Sequence, residues 1–361
     1  MKTCKLLAAF LLAVTVLAAC SDDSPSVPQP PVSAGGAGVY VINQGNYYGG
    51  VSGTVDALSF ADSTYADNFF ESANGISVGD SPQQGVAYGS KIYIPVYASN
   101  LVWVLDKATL NIVASVTTNG PEAVCGAGGY VFIANNDGYV SRLDTLTHAI
   151  DRREEVGPNP AGLAALDGKV YATISDGYNY DDGYVNGLRV AVVDVATGEK
   201  TGDIAVGLNP GQIVAEPAGR YLFVVCRGNY DDVAAKVQRI APEENNAVTD
   251  FAGGGMVAVT SAGQVAVVSM EADYAANKAR VTSNVYDART GTVVVRNLLD
   301  ANPPAMPASI DANPLTGEWY VCSDKGPNDY DKRGVVYVYS RNGSLLRTYE
   351  AGIHPVGVIF R

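Results

Sequence analysis

The feature that most restricts this chain is a module present in seven copies: a short apolar strand, a loop of Asn, Gly, Asp and Tyr, and a second strand with alternating apolar positions. The first copy runs from Gly38 to Phe60, GVYVINQGNYYGGVSGTVDALSF. It returns as KIYIPVYASNLVWVLD from Lys91, YVFIANNDGYVSRLD from Tyr130, KVYATISDGYNYDDGYVNGLRVAVVD from Lys169 and YLFVVCRGNYDDVAAKVQRI from Tyr221. The last two copies are VAVVSMEADYAANKARVTSNVYD from Val265 and EWYVCSDKGPNDYDKRGVVYVYS from Glu318. A strand-built unit of roughly 40 residues cannot bury its apolar faces alone, so copies stack around an axis, and the pattern predicts an all-β, seven-bladed β-propeller.

A second signal punctuates the units: Gly or Asn, then Pro, then a short strand of small residues. It reads GDSPQQGVAY at Pro82, TNGPEAVCGA at Pro121, GPNPAGLAAL at Pro160, GLNPGQIVAE at Pro210, PAMPASIDA at Pro307 and GIHPVGVIF at Pro355. Successive spacings are 39, 39, 50, 97 and 48, and the doubled interval is filled by Gly253 to Gly255 ahead of MVAVT. Small residues suit an innermost strand A crowded around a central channel. Strand B is the VYV-type run, strand C ends in Asp, and strand D is outermost. The chain starts on a B strand and ends on an A strand, so Pro355 to Phe360 is expected to complete the blade begun by Val39, leaving no open sheet edge.

Ahead of the repeats, Lys2 and Lys5 precede the apolar run Leu6 to Leu17, too short to span a bilayer and readable as a secretory signal over residues 1–19. The run ends Leu17-Ala18-Ala19-Cys20, which resembles a bacterial lipobox. That resemblance implies cleavage before Cys20, its acylation, and firm membrane attachment, each buried CH₂ contributing about 0.8 kcal/mol. Residues 20–37 then read as a lipidated tether, acidic in Ser21-Asp22-Asp23-Ser24 and rich in Pro, and residues 38–361 as the propeller.

Cleavage leaves 342 residues, natural for one closed ring of seven blades, with 22 basic and 37 acidic side chains and a net charge of −15. Such a surface disfavours nucleic acid and bare anionic membranes. Cys125, Cys226 and Cys322 fall in separate repeats and read as buried small apolar residues rather than disulfide partners.

The blade pattern VYV, turn, VxVxD, TG, GxxP resembles the YncE-like and surface-layer type propellers. The opening YVINQGNYYGG together with Cys20-Ser21-Asp22-Asp23 resembles surface lipoproteins of Bacteroidota, among them the BtuG-type cobalamin-capture proteins. The resemblance implies an outer-membrane, outward-facing lipoprotein that partners a TonB-dependent transporter. It covers the mature chain at the level of fold, and its motifs are short.

In an antiparallel meander the B-to-C and D-to-A loops share one face. The B-to-C loops are rich in Tyr, Asn and Asp, which places Tyr47, Tyr48, Tyr97, Asn136, Tyr178, Tyr180, Tyr184, Tyr230, Asp231, Tyr274 and Tyr330 as candidate ligand-binding residues. Tyr supplies a rigid aromatic face with a hydroxyl, and Asn and Asp hydrogen-bond to amides and hydroxyls, a mixture suited to a large polar ligand such as a corrinoid or a glycan. The same residue types are also ordinary turn formers.

Asp181-Asp182 and Asp231-Asp232 are the best sources of oxygen ligands for Ca²⁺, without EF-hand spacing, and no other cofactor is indicated. His148 is expected to be solvated on the opposite face, and His354 to lie near the channel mouth without a second His. No GxSxG, HExxH, CxxC or phosphate loop occurs, so the expectation is a binding protein rather than an enzyme. Two alternatives stay open: a propeller hydrolase or lactonase using the acidic loops with a divalent cation, and a protein-binding scaffold.

Overall fold

The computed structural model describes residues 37–361. The expected signal segment, Cys20 and the tether as far as residue 36 lie outside the described residues. Seven four-stranded antiparallel sheets follow one another. In blade 2 the order is A Val86–Tyr88, B Lys91–Val96, C Leu101–Asp106 and D Ile112–Thr117. The A strands touch their counterparts in the next blade all the way round, so the sheets form a closed ring with the A strands innermost. Blades 3 to 7 occupy residues 121–155, 160–205, 210–253, 256–296 and 306–353.

Blade 1 is stitched from both ends of the chain. Pro355–Phe360 forms its A strand and pairs antiparallel with Gly38–Asn43, Tyr40 opposite Ile359 and Val41 opposite Val358. Every B strand runs toward the B-to-C loops and every A strand runs away from them, so Gly38 and Phe360 both sit at the end of the sheet opposite those loops.

Each blade presses both faces on neighbours, which explains why the B strands read as nearly continuous apolar runs. Seven apolar cores result, one per blade-to-blade junction. Alternate residues of one strand serve different cores: Tyr40 and Ile42 join the core shared with blade 2, while Val39 and Val41 join the core shared with blade 7. Outer strands instead alternate half-buried and exposed, as in Ile150–Glu155. Cys125, Cys226 and Cys322 are free and buried within these cores, and burial pushes the Cys125 and Cys226 thiols up to about 12 and about 11.

The proline signal has a backbone cause. Pro121, Pro160, Pro210 and Pro355 each pair with the last residues of the neighbouring B strand, and Pro82 makes an isolated bridge to Val96. The residue just before these prolines has a left-handed backbone: Ser81 at φ 56°, Gly120 at 49°, Asn159 at 49°, Asn209 at 55° and His354 at 52°. Asn and Gly recur there because they reach that region with least cost. A ladder irregularity follows most of the prolines, turning the chain into the channel wall. Crowding fixes the small residues: a Cβ on Gly162 would lie 2.3 Å from the Gly211 carbonyl oxygen of the next blade.

The Asp that closes strand C has an equally local role. Asp106, Asp144 and Asp287 each accept from two backbone N–H groups and a Thr hydroxyl two to three residues on, and Asp194 accepts from the Thr197 N–H. These hydrogen bonds hold all four carboxyls below their usual range. His148 departs from expectation. It is half-buried in the C-to-D turn of blade 3, with Nε2 shielded and without a partner among the described residues.

Blade 1 is the irregular one. Its D strand is only Tyr65–Ala66, and the expected outer strand gives way to a helix, Phe69–Asn74. Phe70 is buried against Trp103 with ring centroids 5.6 Å apart, and the Trp103 indole N–H donates to the Val78 carbonyl at 2.8 Å. Apolar burial thus replaces the ladder at this edge.

Two carboxylates fasten the closing seam. Asp311 of blade 7 accepts from Gln84 Nε2 at 2.6 Å and from the Val358 N–H at 3.2 Å, joining blades 7, 1 and 2. Asp56 accepts from Asn43, Tyr65, the Asn68 N–H and, across the seam, the Gly352 N–H at 3.1 Å. Desolvation raises the Asp56 carboxyl despite these bonds.

Removing residues 353–361 takes Val358 and Ile359 out of two apolar cores and leaves Gly38–Asn43 paired only with Thr54–Ser59. Calorimetry is expected to show a lower and less cooperative melting transition, and an unchanged transition would overturn the assigned closure.

Asp311 gives a pH signature. Part of the residue stays accessible but its carboxyl is enclosed, which pushes it up to about 6, against the Gln84 and Val358 hydrogen bonds that pull it down. An unfolded Asp titrates at about 4. Between those values the native state keeps a proton that the unfolded state has released, so stability is full at low pH and falls as pH rises through 6. Asp311→Asn abolishes that dependence. Apart from a pH-independent offset for the lost acceptor, its melting temperature relative to the parent should climb from pH 4 to 6 and then level off.

Candidate functional site

The loop face is built from several groups of loops. In the first, loops of blades 1 to 4 surround an open depression of about 530 Å³ that brings together Tyr47, Tyr97, Asn136 and Tyr178 of the predicted set. Asn100, Asn119, Asp137 and Asn159 complete its walls.

Amide side chains hold these loops in place. Asn159 donates through Nδ2 to Asn136 Oδ1 at 2.6 Å and accepts from the Tyr178 N–H at 3.2 Å, coupling blades 3 and 4. Asn136 donates in turn to Glu122 Oε1 at 2.8 Å, and Asn100 accepts from the Gly120 N–H at 2.8 Å. The Tyr97 and Tyr178 hydroxyls are hydrogen-bonded to each other across blades 2 and 4. Desolvation and that contact raise the Tyr97 phenol above its usual value.

Asp176 organises the long loop that carries Tyr178 and Tyr180. Nearly fully buried, it accepts through Oδ2 from Asn179 Nδ2 at 3.0 Å, the Asn186 N–H at 2.9 Å and Asn186 Nδ2 at 3.1 Å. Tyr178 and Tyr180 therefore stand out at 63% and 66% exposure on an ordered loop. Tyr184 differs from its neighbours. It is buried at 8% exposure and packs edge-on against Tyr230 at 6.3 Å, supporting that exposed ring from below.

Elsewhere on the face, Tyr47 and Tyr48 pack edge to face at 5.6 Å, and Tyr48 is fully exposed. Tyr274 crowns the ten-residue hairpin strands Gln264–Asp273 and Lys278–Asp287 of blade 6. Asn328 Nδ2 donates to the Tyr274 carbonyl at 2.8 Å and ties that hairpin to the loop of Tyr330. Desolvation and the nearby Tyr274 hydroxyl raise the Tyr330 phenol. Asp231 is exposed beside Tyr230. The candidate residues thus share the face without forming one pocket.

Below the loops, a channel of about 430 Å³ is lined by the A strands, with Gln84, Glu122, Gln212 and Arg227 among its polar groups. Burial raises the Glu122 carboxyl, opposed by the Asn136 hydrogen bond and the nearby Arg227 charge. Through that hydrogen bond Glu122 connects channel and depression. Repeat reading missed Glu122, Asn159 and Asp176. Asn159 was the most accessible of them, since it is the Asn of a GPNP signal on the same face.

Among the described residues no group of three or more His, Cys, Asp or Glu converges as a metal site. Asp181, Asp182, Asp231 and Asp232 are exposed loop residues. Also among the described residues, no helix is long and apolar enough to cross a membrane.

No family model matches the chain, and no curated protein matches it in sequence. Solved structures do resemble it in fold. A quinonprotein alcohol dehydrogenase-like protein from Bacteroides thetaiotaomicron superposes with a TM-score of 0.65 at 15% identity, over 90% of this chain and 78% of that one. Hydrazine synthase from Kuenenia stuttgartiensis gives 0.63 at 15% identity over 77% and 89%, and the WD40 domain of Neurospora crassa Pan2 gives 0.54 at 10% identity over 77% and 80%. Identities this low establish the propeller and nothing about its chemistry.

Asp176→Ala removes the acceptor shared by Asn179 Nδ2, the Asn186 N–H and Asn186 Nδ2, three part-buried hydrogen bonds each contributing about 1 kcal/mol. Limited proteolysis should then cut within residues 177–187 much faster than in the parent, while the main melting transition moves little because the loop lies outside the seven cores.

Proposed function

We propose that this protein is a binding module that captures a large polar organic ligand on its loop face, with a corrinoid such as cobalamin the most specific reading. The observation that carries the proposal is the convergence of Tyr47, Tyr97 and Tyr178 with four asparagines, from four blades, around one open depression held by amide hydrogen bonds. A corrinoid presents a broad apolar ring edged with carboxamides. Aromatic faces meet the first and Asn side chains the second, at low entropic cost because the loops are already ordered. The exposed Tyr180, Tyr230, Tyr274 and Tyr330 extend the contact beyond the depression.

The resemblance of Cys20 and its flanks to lipoprotein sequences supports a surface-anchored protein that passes its ligand to a TonB-dependent transporter. The hydrolase alternative calls for carboxylates converging on a cation, and among the described residues Asp181, Asp182, Asp231 and Asp232 are exposed and join no group of three or more. A protein-binding scaffold would use the same face.

Titration calorimetry of the full chain with cobalamin tests the proposal. Binding is expected, and replacing Tyr97 or Tyr178 by Ala should cost about 2 kcal/mol, roughly a thirtyfold loss of affinity. Absence of heat with cobalamin removes the corrinoid. Affinity that survives Ala at Tyr97, Tyr178, Tyr230 and Tyr330 together removes the face.

A further inference from the structure

A third cavity, of about 330 Å³, opens where blades 6, 7 and 1 meet, next to the channel, with which it shares Met256 and Val356, and apart from the tyrosine-lined depression. Its walls carry Met256, Met270 and Met306. The chain has four methionines in all, so every one except Met1 lies here. One of the two histidines in the sequence, His354, lines the same pocket beside Asp324.

Sheet register sets these groups on two faces that meet at the inner rim of blade 7: Met256 and Met270 face blade 7 from blade 6, while Met306 and Asp324 face blade 1. Met256 pairs with Val268, and Met270 lies two residues further along the same strand, so both thioethers share one face of blade 6. Met306 pairs directly with Asp324 in blade 7, which sets its side chain next to that carboxylate. His354 stands just before Pro355, at the left-handed position that Asn159 and Asn209 fill in blades 4 and 5. Its Nδ1 is 2.7 Å from Asp324 Oδ2.

That contact fixes the imidazole. With the proton on Nδ1 donated to Asp324, Nε2 presents its lone pair, the arrangement by which a carboxylate orients a metal-binding His. Asp324 is only 9% exposed at its side chain, and its Oδ1 has no hydrogen-bond partner among the described residues. A buried carboxylate left half-satisfied favours a positive charge close by.

From this geometry we infer a soft-metal site for monovalent copper, with the Met256, Met270 and Met306 thioethers and His354 Nε2 as ligands and Asp324 as the positioning residue. Thioether sulfur is a soft donor that selects Cu(I), whereas Ca²⁺ and Mg²⁺ demand oxygen. The donor set is therefore discriminating without any cysteine. The site does not depend on what the tyrosine face binds.

Anaerobic titration of the full chain with Cu(I) against bicinchoninate, a coloured chelator, tests the inference. One equivalent of copper should be withdrawn from the chelator, and X-ray absorption should show thioether sulfur and imidazole nitrogen around it. His354→Asn keeps the backbone preference of the position and should abolish competition. Met256→Leu/Met270→Leu/Met306→Leu conserves volume and should do the same with an unchanged melting temperature. Asp324→Asn should weaken binding about 10–100-fold. His148→Ala, far from the pocket, should leave it intact. Failure to compete with bicinchoninate overturns the site, as does copper retained by the triple Met variant, which leaves all five cysteines untouched. Equally tight binding of Zn²⁺ or Ca²⁺ overturns its soft character.

Discussion

The pairing of Pro355–Phe360 with Gly38–Asn43 is the interaction on which everything else in the molecule rests. Each blade buries both faces against neighbours, so a ring with one blade missing its innermost strand exposes two apolar cores at once. Sequence-distant contacts of this kind come at the entropic cost of closing nearly the whole chain. The seam is accordingly where extra polar fastening collects: Asp311 reaches two blades beyond its own, Asp56 catches the Gly352 N–H, and Arg333 pairs with Asp67. The 2.6 Å bond between Gln84 and Asp311 spans 227 residues of sequence.

Much of this was legible in the residues alone. Apolar runs such as Val39 to Ile42 identify strands buried on both faces, and the Pro signals identify innermost strands, five of the six prolines following a left-handed residue. The seven-blade count and terminal closure follow from that register. Blade 1 was less legible, since FFESAN from Phe69 is too short to show helical periodicity and takes its form from burial of Phe70 against Trp103. His148 was misjudged because exposure of a turn residue depends on its neighbours in space.

The candidate site was legible as a face and illegible as a set of pockets. Tyr and Asn content marks the B-to-C loops, but which loops meet depends on loop length and on D-to-A residues such as Asn159. Tyr178 and Tyr184 show the limit: five residues of one loop separate them, yet the first is exposed and the second is buried against the Tyr230 ring of the next blade. The methionine pocket was invisible for a related reason. Met256, Met270 and Met306 carry no local motif, and only the ring brings blades 6 and 7 side by side.

The direction of the strands has a practical reach. Because the first strand begins, and the last strand ends, on the side of the disc remote from the tyrosine loops, both boundaries of the folded ring leave that surface unobstructed. An affinity handle, a fluorophore or a solid support joined at Arg361 therefore projects from the back of the disc. Molecules immobilised in that way display their loops uniformly to whatever flows past, which makes the propeller a self-orienting capture surface.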